Sequence, residues 1–260
     1  MAAEWGAVTR ALLENSRAGN GERALAQGMC EACVTGLEVD GAAVSIMTRT
    51  AARETLFATD ATAMLLEELQ FTLNEGVCMQ AAEAGFPVLV PDLRETAATA
   101  RWPAFAAAVA ERASIGALFA LPLQWGVVNL GVLDLYRQSP GALPTAQWRD
   151  VQIAVDTAAA MMLALHTDPD GLGDDAPRSV SEPDLAPVGR AEVHQATGMV
   201  LAQMGITAQD ALARMRAHAF ANGRLLTDVA DDIVRRWLWF SPDGEPRTRL
   251  DSPDQGSVER

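Results

Sequence analysis

The chain has 260 residues and a mass of 27.6 kDa, enough for about two domains at roughly 100–200 residues each. A hydrophobic content of 49% excludes wholesale disorder. The net charge of −14, from 20 cations (every one an Arg) and 34 acids, excludes a protein that coats nucleic acid or anionic membrane with its whole surface, while leaving room for a small basic face.

From about Trp5 to Leu37 the pattern is helical, with a break near Gly19, Asn20 and Gly21. Leu25, Met29, Cys33 and Leu37 recur every four residues, on one helical face. Strand-like runs follow at Ala42–Met47, Glu54–Ala58, Pro87–Val90, Ala117–Leu123 and Leu130–Leu135, with helical patterns at Asp60–Leu73 and Pro103–Ala113. The most apolar stretch, Ile115 to Tyr136, is interrupted by Pro122, Gln124, Gly126, Asn129, Gly131 and Asp134. It therefore reads as two strands meeting at a turn made by Gly126 and Asn129 rather than as a membrane span. A last helix is predicted from about Thr145 to His166. The order describes one α/β domain, residues 1–166, around a central, mostly antiparallel sheet. In the last helix Trp148, Val151, Val155, Ala158, Met162 and Leu165 are spaced 3-4-3-4-3. This seam suits either packing on the domain's own sheet or a homodimer interface.

Residues 167–187 are rich in Asp, Gly and Pro and read as an acidic linker, and residues 241–260 as a disordered tail. Between them, residues 188–240 hold 6 Arg and 5 acids, net +1, whereas residues 1–166 carry −8. This segment reads as a small all-α unit of three helices. The first runs from Val188 to Met204 and ends at Gly205. The second is introduced by Thr207 and Asp210 in the form of a capping box and ends at Asn222-Gly223. The third begins near Thr227, with Arg235 and Arg236 in its last turn and Trp237 on its buried side.

The run Glu192-Val193-His194-Gln195-Ala196-Thr197-Gly198-Met199-Val200-Leu201, followed by Gly205-Ile206, Ala211-Leu212, Met215-Arg216, Ala219, Asn222, Arg224 and Asp228-Val229-Ala230, resembles the ANTAR domain of bacterial RNA-binding transcription antiterminators. The preceding domain resembles GAF domains. Leu69-Gln70-Phe71, Glu75-Gly76-Val77-Cys78, Gly85-Phe86-Pro87-Val88, Asp92-Leu93, Arg101-Trp102-Pro103-Ala104-Phe105, Leu121-Pro122-Leu123, Gly131-Val132-Leu133 and Leu135-Tyr136 carry that resemblance. The chain departs from the usual ANTAR pattern at Thr197, where Lys is common, and at Leu225, where a second basic residue is common. It departs from the GAF pattern at Val77, where Pro is common. The fold expected is thus α+β, a GAF-like sensor followed by an ANTAR-like three-helix module.

The resemblance implies a cytoplasmic regulator. Its partners would be tandem hairpins in nascent mRNA, whose binding prevents a terminator from forming, an unknown small-molecule effector at the GAF domain, and a second copy of the chain. Hairpin loops are read by a few cations and stacked bases. The candidate RNA-binding residues are Arg190, Ala196, Thr197, Gly198, Arg214, Arg216 and Arg224, with Arg216 and Arg224 favoured and Arg235 and Arg236 weighed as candidates against a role as helix-end charges. Candidate effector-binding residues are Cys78, Trp102, Trp125 and Tyr136.

Cys30, Cys33 and Cys78 are too few for a disulfide framework and fit a reducing compartment. Cys30 and Cys33 form a C-x-x-C, but a metal site wants about four ligands, so buried structural thiols are expected, with no metal and no cofactor. No signal-peptide pattern opens the chain. No Ser-His-Asp pattern, H-E-x-x-H or phosphate-cradling Gly loop supports catalysis. Two alternatives remain. One is a GAF-type free-methionine-sulfoxide reductase or redox sensor using these thiols. The other is a dimeric sensor acting on a protein partner without RNA.

Overall fold

The structure is a computed structural model and describes residues 5–15, 21–47, 53–166 and 190–249. The described residues form two compact units, one on either side of residues 167–189. The expected linker, residues 167–187, lies outside the described residues, as do residues 250–260.

The first unit begins with helices α1 (Ala7–Asn15) and α2 (Glu22–Gly36) and strands β1 (Gly41–Met47) and β2 (Arg53–Ala58). Helices α3 (Ala61–Leu73) and α4 (Val77–Ala84), strand β3 (Val88–Val90) and helices α5 (Thr96–Arg101) and α6 (Pro103–Arg112) follow. Strands β4 (Ala117–Trp125) and β5 (Val128–Arg137) and helix α7 (Thr145–His166) complete it. The five strands form one antiparallel sheet in the order β2-β1-β5-β4-β3. Helices α2 and α7 cover one face, with α1 packed on both of them, while α3 and α4 pack on the other. The β4–β5 turn falls at Gly126, whose φ of 60° is the left-handed region that glycine enters without a Cβ clash. Asn129 sits in β5 instead, where its amide donates to the Ala82 carbonyl at 2.8 Å and ties the strand to α4.

Two carboxylates anchor helix starts. Asp60 caps α3, accepting from the N–H groups of Thr62 and Ala63 at 2.8 and 2.9 Å. Asp150, on α7, reaches the start of α1 and accepts from Val8 N–H at 2.8 Å and from the Thr9 hydroxyl at 2.8 Å. A buried anion there meets both the unpaired donors and the positive end of the helix dipole.

The periodic face of α2 (Leu25, Met29 and Cys33, with Leu37 just beyond) lies in the core, as its spacing predicts. The seam of α7 resolves in favour of the domain's own core. Val151, Val155, Ala158 and Met162 are all buried with α2 and the sheet, and Trp148 packs on the same cluster. Leu165 alone of the six is exposed. Val151, Val155, Ala158 and Met162 are thus spent on the domain's own core.

The second unit comprises α8 (Arg190–Met204), α9 (Ala208–Ala221), α10 (Leu226–Val234) and a two-stranded hairpin, β6 (Leu238–Phe240) with β7 (Pro246–Thr248). Gly205 ends α8 at φ 68°. The Thr207 hydroxyl oxygen accepts from Asp210 N–H at 3.2 Å to start α9. Three expectations are corrected here. Leu225, not Thr227, occupies the cap position of α10, so the helix starts earlier. Trp237 is exposed, because α10 ends at Val234 and the chain turns at Arg236 before that residue. The tail is not disordered from Ser241. Residues 241–249 fold back through a turn at Gly244 (φ 85°), and Ser241 N–H donates to the Glu245 carbonyl at 2.9 Å. Leu238 and Phe240 are buried by this unit, and Gln203 of α8 accepts from Phe240 N–H at 3.0 Å.

Val155→Asp should therefore unfold the first unit, at a cost of about 4 kcal/mol or more for an unpaired charge in the core. Chemical denaturation monitored by circular dichroism would measure it. Retention of wild-type stability would contradict the packing of α7 described here.

Candidate functional site

The side of the sheet under α3 and α4 contains a charged cluster in the protein interior. Arg53 of β2 and Glu67 of α3 are both buried and paired at 2.8 Å. The Ser45 hydroxyl donates to the same Glu67 oxygen, and Thr55 Oγ1 donates to it at 3.2 Å. Glu67, Cys78 and Asp134 bring their oxygen and sulfur atoms within 4.8 Å of one another. Burial works against the Arg53 charge, but Cys78, Glu67 and Asp134 around it offset this and push its pKa up. Burial, and next the Glu67 carboxyl, push Asp134 well above the carboxylate range. Burial thus disfavours the charged form of Asp134, while Glu67 faces the guanidinium. Burial also pushes Cys78 up, against the lowering influence of Arg53. The three acidic groups are close enough to ligate a metal, but Arg53 already supplies positive charge to Glu67.

Next to this cluster lies a small cavity of about 10 Å³, room for about one water, lined by Ala43, Leu66, Gln70, Leu118, Asp134 and Tyr136 among others. The Tyr136 hydroxyl donates to Asp60 at 3.1 Å. The Gln70 carbonyl accepts from Cys78 N–H at 2.8 Å, at the start of α4. Gly76 precedes that start at φ 127°, and a Cβ there would run into the Gln70 side chain. Glu75 accepts from the N–H groups of Ala104 and Phe105 at 3.0 and 3.1 Å, capping α6 from outside its own segment.

In the second unit Arg214 is exposed on α9, its guanidinium lying against Gly244 of the hairpin turn. Arg216 is half-buried, and burial lowers its pKa. Arg224 is tied down, paired with Asp232 at 2.7 Å and donating to the Asp228 carbonyl at 3.1 Å. Arg235 pairs with Asp231 at 2.8 Å and lies over the Trp237 ring at 5.2 Å. On α8, Ala196 is in the core and the Thr197 hydroxyl donates to the Val193 carbonyl at 2.7 Å. Gly198 is exposed, and a Cβ added there would meet no atom within 4 Å.

A family model for the GAF domain matches residues 21–166, more than half of the chain, and a model for the ANTAR domain matches residues 186–234. The chain belongs to the GAF family and carries an ANTAR domain behind its GAF domain. No curated protein matches it significantly. Among solved structures it is similar to the GAF domain of an Acinetobacter phosphoenolpyruvate-protein phosphotransferase, at 11% identity and TM-score 0.47, covering 61% of this chain and 92% of that one. It is also similar to a type II free methionine-R-sulfoxide reductase from Thermoplasma acidophilum, at 15% identity and TM-score 0.41, covering 56% and 92%.

Within the GAF domain the four expected effector residues do not converge. Tyr136 lines the small cavity and Cys78 sits in the adjoining charged cluster. Trp102 is buried under Arg101, 4.6 Å from its ring, and lines a separate open groove on the outside of α4. Trp125 is exposed at the β4–β5 turn, away from any shared cavity. Arg53, Glu67 and Asp134 were not singled out from the sequence. Each is an ordinary charged residue until the sheet register places them together.

In the ANTAR domain Gly198 and Arg214 are open to solvent, Thr197, Arg216 and Arg224 are partly covered, and Ala196 is inside. Arg190 opens α8, and its side chain is outside the described residues. Cys30 and Cys33 are buried in α2, where burial pushes both thiols up. Among the described residues no helix is long and apolar enough to cross a membrane.

Asp134→Asn should leave the GAF domain folded and, at neutral pH, more stable. Because burial raises the folded pKa of Asp134, its contribution to stability is present below the unfolded pKa and is lost as pH rises toward the folded value, and the amide removes that loss. Glu67→Ala should cost about 3–5 kcal/mol, because it leaves Arg53 buried without its partner. Urea titrations of both variants between about pH 5 and 8 give the comparison.

His218 carries the opposite sign in the ANTAR domain. It packs edge-on against Phe240 at 5.8 Å, and burial, then Arg224, lower its pKa despite Asp232. Stability should fall as pH drops through the ordinary histidine range, since the unfolded chain protonates first. His218→Gln should flatten that dependence of the thermal midpoint.

Proposed function

We propose that this protein is an RNA-binding transcription antitermination regulator and not an enzyme. Its ANTAR domain binds tandem hairpins in nascent mRNA and keeps a terminator from forming, and its GAF domain is the small-molecule sensor that controls this. The observation that carries the reading is the ANTAR match over residues 186–234, on a unit that is near neutral within a chain of net charge −14.

Gly198 supports it physically. Glycine in a helix interior costs about 1 kcal/mol relative to alanine. Nothing within the unit needs the space, since a Cβ there touches no neighbour. An exposed stretch of helix without a side chain allows close approach of an RNA backbone. Arg214, exposed on α9, supplies charge for phosphate. Ala196 is buried in the core and the Thr197 hydroxyl lies 3.8 Å from Met215 Sδ of α9, so this side of α8 faces inward while Gly198 is exposed.

On the sensor side, the small GAF cavity has room for about one water. A larger effector would separate α3 and α4 from the sheet, which gives the two states that differential binding requires. The reductase alternative loses support because Cys30, Cys33 and Cys78 are all buried with raised pKa values, whereas a reactive thiol needs access and an accessible thiolate.

The test is equilibrium binding of the full chain to tandem-hairpin RNA transcribed from its own operon, across a salt series. Affinity should fall as salt rises. Gly198→Ala should raise the thermal midpoint yet weaken binding about tenfold, and Arg214→Ala should weaken binding with a shallower salt slope. Absence of binding at low salt by the folded protein would reject the RNA reading in favour of a protein partner.

A further inference from the structure

The β6–β7 hairpin lies beyond the segment matched as ANTAR, and it builds one wall of an open groove of about 610 Å³. Met199, Ala202 and Gln203 of α8 form the facing wall, and Arg236, Trp239 and Arg249 form the hairpin side. We propose that this groove receives an unpaired nucleotide of the RNA, its base stacked on Trp239 and its phosphates held by Arg236 and Arg249. The inference rests on the RNA reading above and adds a contact site outside the three helices.

The backbone at Arg236 supplies the first reason. Arg236 has φ 61°, the left-handed region, just after the end of α10. A helix is commonly ended there by Gly, or by Asn, because a Cβ is strained in that conformation. The chain instead places a long cation at that position, and the strained turn holds the guanidinium at the groove. Backbone strain of this kind, retained where a cheaper residue would close the helix, points to a use for the side chain.

Charge is the second reason. Arg224 and Arg235 are committed to Asp232 and Asp231. Arg236 and Arg249 form no ion pair among the described residues. In a chain of net charge −14, two unpaired arginines on one groove make a local site for an anion.

Shape and chemistry supply the third. The volume falls in the range of about 300–1,000 Å³ typical of small-ligand sites. Trp239 is half-buried, and across the hairpin it pairs with exposed Arg247. The neighbouring Trp237, though exposed, already has the Arg235 guanidinium over its ring. An indole beside arginines is the pairing that binds single-stranded nucleotides, with stacking on the ring and cations on the phosphates. Gln203 uses its carbonyl oxygen to accept from Phe240 N–H, which leaves its NH₂ as a donor at the groove wall for a base edge. Gly198 lies one helical turn before Ala202, so the open stretch of α8 leads along the helix toward the groove.

The experiment uses the full chain and the same operon-derived tandem-hairpin RNA, together with a version whose loop nucleotides are abasic. Arg236→Gly is the decisive variant. Glycine accepts φ 61° without strain, so the thermal midpoint should hold or rise while RNA affinity falls about tenfold. Arg249→Ala should give a similar loss, with the slope of log affinity against log salt reduced by about one. Trp239→Ala should lose about tenfold on the intact RNA and nothing on the abasic-loop RNA. Trp239→Phe, which keeps a stacking face, should retain most of the binding. Wild-type affinity in folded Arg236→Gly and Arg249→Ala, with the parent chain binding RNA, would overturn the groove proposal and leave the RNA reading standing. Failure of the parent chain itself to bind at low salt would remove both.

Discussion

Glu67 can sit in the interior of the GAF domain only because Arg53 sits beside it. A lone buried carboxylate would be too costly, and a lone buried guanidinium equally so. Their contact joins α3 to β2, while Ser45 and Thr55 attach the same carboxylate to β1 and β2. The pair thus fixes how α3 sits on the sheet. That placement in turn sets the small cavity, bounded by Leu66 and Gln70 from the helix and Asp134 and Tyr136 from β5. Gln70, carried on the same helix, positions the start of α4 through Cys78 N–H. The ion pair thus sets the geometry of this face of the GAF domain.

The opposite face of the sheet follows another rule. There α2 and α7 bury continuous apolar stripes, and Asp150 ties α1 to α7 through hydrogen bonds at the start of α1. One side is closed by hydrophobic packing and the other carries polar chemistry. An asymmetry of this sort suits a domain whose one face must be stable and whose other face must respond. The ANTAR domain divides its surface in a similar way. Ala196, Met215, Ala219, Val229 and Ile233 close the core, while Gly198, Arg214 and the hairpin groove remain outside.

Much of this was legible in the residues. Spacing of Leu25, Met29, Cys33 and Leu37 marked the buried face of α2, and strand-like runs placed all five strands of the sheet to within a few residues. The Thr207 and Asp210 pair marked the start of α9. Other features were present but misread. Ser241-Pro242-Asp243-Gly244 is a turn signal between two short strands, yet its polar composition also suits a tail, and three-residue strands are too short to show alternation. The 3-4 spacing in α7 is the same whether the partner is a sheet of the same domain or a second chain, so it could not choose between them.

The sequence by itself determined the two-domain architecture, the helical and strand periods, and the confinement of net acidity to segments other than the ANTAR unit. Those depend on local order along the chain, which a one-dimensional pattern carries. Tertiary structure alone decided which charged residues meet. Arg53, Glu67 and Asp134 are separated along the chain and converge only through the sheet register and the seating of α3. It also decided which arginines are spent and which are available. By resemblance Arg224 and Arg216 are the leading candidates for RNA contact. Folding pairs the first with Asp232 and half-buries the second, while a turn strained at Arg236 presents a different cation to the groove. A side chain's charge is written in the sequence, but its partner and its exposure are properties of the packed chain.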